Sequence, residues 1–359
     1  MVTLLDCIRR FADISDGLID RREETFRPLL ETIRNSGKKI NQIILCGSGS
    51  SFNEIITAKS FVEKTSGLQT ISVYPNDLLY STSVYNTDAL YVFVSQSGTS
   101  TLTQQAAVLV KEKGALTAAL TAFETNPLVA KTDAYIEQGV GKEEYGFVTV
   151  GFDCGVLTLM LMGLEIGRCL GNISEEEYAR QIEDAHKISP SHREVTDKAM
   201  KWFDLNKEQL LRTSTFTIYG GGSLYGIALE SALKILEVAK RNISVGYEID
   251  DGMHGPTMGF TPSNCIIGLN DGGHNEDKQN SLIRWGKEKM NNGFIIGVNP
   301  INDRDLGFEP VSGDWKALEY APAIQVLAYR LAVDMGVDLL DKSRHTERAY
   351  FATHDKKAE

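Results

Sequence analysis

Residues 42–53 read QIILCGSGSSFN: an apolar run over 42–46 breaks into Gly47-Ser48-Gly49-Ser50-Ser51 and then into a helical pattern that reaches about Lys64. An apolar run without polar alternation suits a strand buried on both faces, and glycine directly after it lets the chain turn into a helix. The same order returns 173 positions later. There, 216–219 run into Gly220-Gly221-Gly222-Ser223 and a helix that the pattern carries to about Lys240, with Tyr225 standing where Phe52 stands. Two copies at so long an offset predict duplicated domains rather than a solenoid.

Working outward, 70–74, 89–94, 115–120 and 134–136 read as strands, and 102–113 and 154–170 as helices. After the second copy, 265–269 and 294–298 read as strands and 323–335 as a helix, while the charged stretch 172–210 reads as helix with a break at Pro190. Buried strands alternating with helices predict an α/β fold of parallel sheets flanked by helices. Residues 1–36 show amphipathic helical spacing and stop at Asn35-Ser36-Gly37. The expected divisions are a helical segment over 1–36, domains over 37–185 and 186–340, and a tail over 341–359 that lies across the site.

The chain of 359 residues is 42% apolar and 24% charged, the balance of a globular protein, and its length suits two domains. With 48 Asp and Glu against 37 Lys and Arg, the net charge is −11, so nucleic acid is not an expected partner. No run of 18 apolar residues exists, and the N-terminus lacks the small-residue cleavage site of a secretory signal, so the expectation is no membrane span and a cytoplasmic protein. The five cysteines are dispersed without CxxC spacing, which argues against a disulfide framework or a zinc site. Cys46 and Cys265, inside apolar runs, read as buried structural thiols.

Both glycine loops place backbone N–H groups where a helix begins, a setting that suits an anion. Neither has the third glycine of a dinucleotide fingerprint, whose place Phe52 and Tyr225 take, so no nicotinamide cofactor is expected. A stronger signal is Ser95-Gln96-Ser97-Gly98-Thr99-Ser100-Thr101, with five hydroxyls and a glycine between a strand and a helix. Hydroxyls and N–H groups converging on a helix dipole can cradle a phosphate, with Ser50 and Ser51 on the adjoining loop; the plainer reading is a Ser/Thr cap. In 228–237, Glu230, Lys234 and Glu237 share one face of an otherwise apolar helix. That spacing also fits an exposed ion pair, but the apolar flanks favour a buried helix whose charged stripe faces something specific. His254, followed by Gly255-Pro256, sits in a rigid polar turn and is an acid–base candidate.

On these motifs the chain resembles the double sugar-isomerase (SIS) domain family. It is similar to the isomerase half of glucosamine-6-phosphate synthase, to phosphosugar isomerases and to deglycases of Amadori-type fructosamine 6-phosphates. The motifs are CGSGSSFN at 46–53, SQSGTS at 95–100, KEEYGFVT at 142–149, ALESALKILE at 228–237, HGP at 254–256 and PAIQVLAYRLAV at 322–333. The resemblance implies two tandem SIS domains, a homodimer or higher homo-oligomer, a sugar 6-phosphate substrate, and neither cofactor nor metal. It implies that Ser51, Ser95, Gln96, Ser97 and Ser100 hold the phosphate, that Glu144 and Thr149 lie near the sugar, and that Glu230 and Lys234 flank the reacting carbons. Glu237 would move a proton between C1 and C2. His254 would help open the sugar ring and would come from the neighbouring subunit.

Two departures shape the expected activity. The synthase has a glutaminase domain whose nucleophile is its first cysteine. Val2 stands here, so no glutaminase activity is expected. The synthase also has a lysine near its C-terminus that forms an imine with the ketose, whereas Arg344-His345-Thr346-Glu347-Arg348 contains none. A substrate that already carries its nitrogen has no need of that lysine, so the leading expectation is a deglycase of a C1-amine-linked sugar 6-phosphate, with His345 and Glu347 as possible tail residues of the site. The alternatives are an aldose–ketose phosphosugar isomerase, an amino-sugar phosphate deaminase, or a non-catalytic sugar-phosphate sensor.

Overall fold

A computed structural model describes residues 2–341 and 350–354. Packing divides the chain into two units. One comprises Gly17–Glu143, Val150–Ile182 and the chain from Asp341 on; the other comprises Met1–Asp16, Glu144–Thr149 and Glu183–Leu340.

The first unit is built on strands β1 (Gln42–Cys46), β2 (Gln69–Val73), β3 (Ala89–Val94), β4 (Leu116–Thr121) and β5 (Ala134–Glu137), all parallel, in the order β2-β1-β3-β4-β5. β3 and β4 are buried along their whole length, as continuous apolar runs covered on both faces must be. Tyr91, Phe93 and Ala119 pack with Ala106 and Val110 of the helix Thr101–Glu112 on one side of this sheet.

A second helix, Val150–Leu170, starts four residues earlier than its apolar run suggests. By length and composition it could cross a membrane, but its apolar window is wholly buried inside the fold. Glycines 151, 155, 163 and 167 recur at multiples of four and make one flat face. A Cβ on Gly167 would stand 1.9 Å from the Thr65 carbonyl oxygen, and one on Gly163 would stand 2.7 Å from Val62 Cα. The bare face lets this helix press against the backbone of Ser50–Ser66, the helix that leaves the first glycine loop.

The second unit repeats the plan. Strands β6 (Thr215–Gly220), β7 (Ile243–Glu248), β8 (Asn264–Asn270), β9 (Gly293–Gly297) and β10 (Leu306–Gly307) are parallel in the order β10-β9-β8-β6-β7, which is the first order read from the other edge. The duplication expected at offset 173 therefore extends from the loops to the whole strand order. β7 and β10 lie at the two edges, and neither is evident from apolar runs. β7 alternates and is mostly half-exposed, and β10 has two residues. The break in 172–210 falls at 186–187 rather than at Pro190, which occupies the first turn of Ile188–Arg212, where its missing N–H costs no helical bond. Pro322 likewise sits inside Ala317–Asp334, extending the C-terminal helix six residues beyond the expected start.

Cys46 and Cys265 are fully buried, and desolvation pushes both thiols above the ordinary range, as expected of structural cysteines. Among the described residues no group of His, Cys, Asp and Glu is arranged to hold a metal.

Candidate functional site

In an open parallel sheet, ligands bind outside the carboxyl ends of the strands where the strand order reverses. In the first unit that reversal lies between β1 and β3, and the loops leaving these strands are 47–51 and 95–101. The fold thus brings Ser50 and Ser51 to the same edge as Ser95, Gln96, Ser97 and Ser100. Gly49 caps the helix Ser50–Ser66 at φ +59°, a left-handed conformation that glycine adopts without strain. The Phe52 ring stacks on Tyr74 at 3.8 Å and fixes the start of that helix.

The loop after β3 is pinned from its own sheet. Ser95 N–H donates to Leu120 O (3.0 Å), and the Gln96 carbonyl accepts from Ala122 N–H (2.9 Å), Thr121 Oγ1 (3.0 Å) and Asn126 Nδ2 (3.1 Å). Its hydroxyls bond to one another: Ser97 Oγ and Thr99 Oγ1 are 2.7 Å apart, and Thr103 Oγ1 donates to Ser100 Oγ at 2.9 Å. A rigid main chain carrying mutually bonded hydroxyls at the start of Thr101–Glu112 has the chemistry to cradle an oxyanion.

Glu143 reaches this cradle from behind. Gln96 Nε2 donates to Glu143 Oε2 at 2.6 Å, and Gly151 N–H donates to Glu143 Oε1 at 3.3 Å, so the carboxylate also lies at the N-terminus of Val150–Leu170. Gly151 is required here, since a Cβ would stand 2.1 Å from Gln96 Oε1. The neighbouring Glu144 was expected near the sugar. That residue belongs to the other unit, where it accepts from Arg10 Nη1 (3.0 Å) and Cys7 Sγ (3.3 Å); Thr149 is buried in the same unit. Glu143 was not singled out from the sequence, because only the backbone path decides which of two adjacent glutamates faces the loop after β3.

In the second unit the reversal lies between β6 and β8. Gly222 (φ +57°, ψ −128°) repeats the conformation of Gly49 (φ +59°, ψ −133°), so the first loop's turn is duplicated. The loop after β8, Asn270-Asp271-Gly272-Gly273-His274-Asn275, occupies the position of 95–100, a correspondence invisible without the strand order. It contains no hydroxyl residue, and Asp271 is paired with Lys316 at 2.7 Å. The second half keeps the turn and lacks the cradle.

The charged stripe lies elsewhere in this unit. Glu230 and Lys234 are buried on Ser223–Lys234, which continues as a π-turn over Ile235–Ala239 that carries Glu237. Single π-turns inside helices are common at functional positions. Lys234 Nζ stands 2.5 Å from Glu237 Oε2 and 3.3 Å from Glu230 Oε1. Burial works against the charge on Lys234, but the two carboxylates outweigh it and hold its pKa above the ordinary lysine value. The amine therefore stays charged, with 2% of its side chain exposed, whereas Glu237 keeps 39% exposed. Despite its apolar neighbours in sequence, the Glu237 side chain is ion-paired and partly open.

His254 follows β7 on a loop of two 3-10 turns. Its Nδ1 lies 2.8 Å from Asp250 O, Asp250 is bridged to Lys278 at 2.5 Å, and 74% of the His254 side chain is exposed. Gly252 lets the loop close onto the sheet, because a Cβ there would stand 2.4 Å from Tyr219 Cε1. A crossover helix runs antiparallel to the strands it joins, so Glu237, just before β7, is at the amino edge of the sheet, while His254, after β7, is at the carboxyl edge. Within the unit they are separated by the length of a six-residue strand, about 20 Å. His345 and Glu347 lie outside the described residues.

Comparisons with known proteins accord with this fold. The SIS domain model matches residues 38–163. A glutamine–fructose-6-phosphate aminotransferase (isomerizing) of Bartonella quintana strain Toulouse is 27% identical over 87% of this chain, which spans about half of that relative's length (52%). Among solved structures, a proposed phosphosugar isomerase of Clostridium difficile 630 superposes with a TM-score of 0.88 at 24% identity, covering 98% of this chain and 99% of that one. The C-terminal domain of a glucosamine-fructose-6-phosphate aminotransferase from Francisella tularensis gives 0.83 at 20% identity, covering 95% and 98%.

Proposed function

From the premise that this chain belongs to the SIS domain family, we propose that it is an enzyme that moves a proton between C1 and C2 of a sugar 6-phosphate, and specifically a deglycase of C1-amine-linked substrates. The observation that carries this reading is the buried, charged Lys234 holding a half-exposed Glu237 at 2.5 Å on an otherwise apolar helix. Sealing a lysine inside a core is costly unless its partners do something with it, and here it aligns a carboxylate that remains accessible.

In the proposed reaction the C6 phosphate binds to the hydroxyls of Ser51, Ser95, Ser97 and Ser100 and to Gln96. Glu237 takes a proton from C1 of the aminoketose, the electron pair shifts toward C2 while the C2 oxygen takes up a proton from water to give the enaminol, and Glu237 returns its proton to C2 as the nitrogen gives up its N–H proton to water. The product is an imine between C1 and the amine nitrogen. Water adds across that C=N bond and releases an aldose 6-phosphate and the free amine. No lysine from the protein enters this sequence, which agrees with the lysine-free stretch 344–348.

His254 would act in the site of a second copy. In its own unit it is at the opposite edge of the sheet from Glu237, and it is carried on a projecting loop. Met258 in that loop is 92% exposed, beside an open groove of about 440 Å³ lined by Met253, Thr257 and Trp285.

The test is a panel of fructose 6-phosphates bearing amino acids at C1, alongside fructose, glucose and glucosamine 6-phosphates. Release of the amino acid supports the deglycase. Isomerised hexose phosphate or released ammonia instead assigns the isomerase or deaminase reading, and turnover of none of them rejects the proton-transfer reading.

A further inference from the structure

Neither loop of the phosphate cradle contains Lys, Arg or His, although the ligand proposed for it is a dianion and the chain's net charge is −11. The described end of the chain supplies a candidate. Thr101 N–H donates to Thr353 O at 3.1 Å, Thr101 Oγ1 lies 3.3 Å from the same oxygen, and Ser100 forms an antiparallel bridge with His354. Because the ladder bond joins the flanking pair, Thr101 and Thr353, Ser100 and His354 are the non-hydrogen-bonded pair of the bridge. In that arrangement the Cα atoms are about 4.5 Å apart, and the two side chains rise from the same face. The His354 side chain therefore emerges beside the Ser100 hydroxyl. Its Nδ1 is 2.9 Å from Thr353 Oγ1, a contact that occupies Nδ1 and leaves Nε2 as the ring atom available to a ligand. The tail also takes the N–H of the first helical residue, so an anion in the cradle meets hydroxyls and this imidazole rather than that backbone donor.

We infer that His354 is a binding residue of the cradle, donating from Nε2 to the phosphate of the substrate and supplying the ring N–H donor that the two loops lack. This deepens the proposed function and rests on it.

The experiment is calorimetric titration of the full chain with fructose 6-phosphate and with inorganic phosphate, for wild type, Ser97→Ala, His354→Ala, His354→Gln and His354→Arg. The expected result is about tenfold weaker binding of both probes for His354→Ala, the size of one charge-assisted hydrogen bond, with part of it restored by Gln and by Arg, each of which carries an N–H donor. If Ser97→Ala weakens binding and His354→Ala does not, the cradle stands and the role of His354 is overturned. If Ala, Gln and Arg weaken binding equally, the tail acts only as a strap, and the inference again fails. If Ser97→Ala is also without effect, or wild type binds neither probe, the functional reading fails first.

Discussion

Ser97 and Ser100 give the cradle its most direct test. Replacing either by alanine removes a hydroxyl and leaves the pinned main chain in place, so the expected cost is about 1.5–3 kcal/mol of phosphosugar affinity if the lost bond is charge-assisted. Unchanged titration curves would reduce these residues to helix caps. Glu143 works one step back: its carboxylate orients Gln96, so Glu143→Ala should raise KM severalfold with kcat little changed, and Glu143→Gln, which can still accept from Gln96 Nε2, should recover most of the loss. A parallel fall in kcat would place Glu143 at the reacting carbons. Glu237→Gln keeps the shape but cannot take up a proton, so turnover should drop about 10²–10⁴-fold with binding retained. Wild-type turnover in that variant would make the stripe structural. At this scale the hydroxyl loop and the Glu–Lys–Glu stripe were legible because residue type alone marks them. Glu143 and His354 were not, since each acquires its role from a neighbour distant in sequence.

At the scale of elements, the helix Val150–Leu170 depends on its glycine face. Gly167→Ala must push against the Thr65 carbonyl, a backbone atom that cannot rotate away, so a loss of about 1–3 kcal/mol is expected, measured as a lower denaturant midpoint at constant slope. An unchanged midpoint would show that the two helices can part without penalty. The sequence reading caught the buried strands β1, β3, β4, β6, β8 and β9 because burial on both faces leaves a continuous apolar run. It missed β7, whose outer residues are half-exposed on a sheet edge, and with it the separation between Glu237 and His254. It also ended the first helix of the second half at the right place but did not anticipate the π-turn, since no residue in Ile235–Ala239 forbids ordinary helix.

For the whole molecule, the opposite-edge placement of Glu237 and His254 makes a sharp prediction if a site is shared between two copies. Glu237→Gln and His254→Ala protomers should each be impaired alone. Mixed and re-equilibrated, they should recover about a quarter of wild-type activity, because half the dimers are hybrids and each hybrid has one intact site. No recovery would assign both residues to a site within one chain. The duplicated strand order was foreseeable from the repeated loop; the assignment of segments to units was not. Residues 2–16 pack with Glu183–Leu340, and 350–354 pack with the unit that holds Gly17–Glu143. A nascent polypeptide leaves the ribosome from its N-terminus, at a pace that lets early domains fold before later ones exist. Here residues 2–16 must wait for a partner still to be translated, although all five strands of the first sheet lie within 42–137. A gene cut between 182 and 183 would therefore encode two fragments, neither holding all of either unit, and refolding should require both halves together.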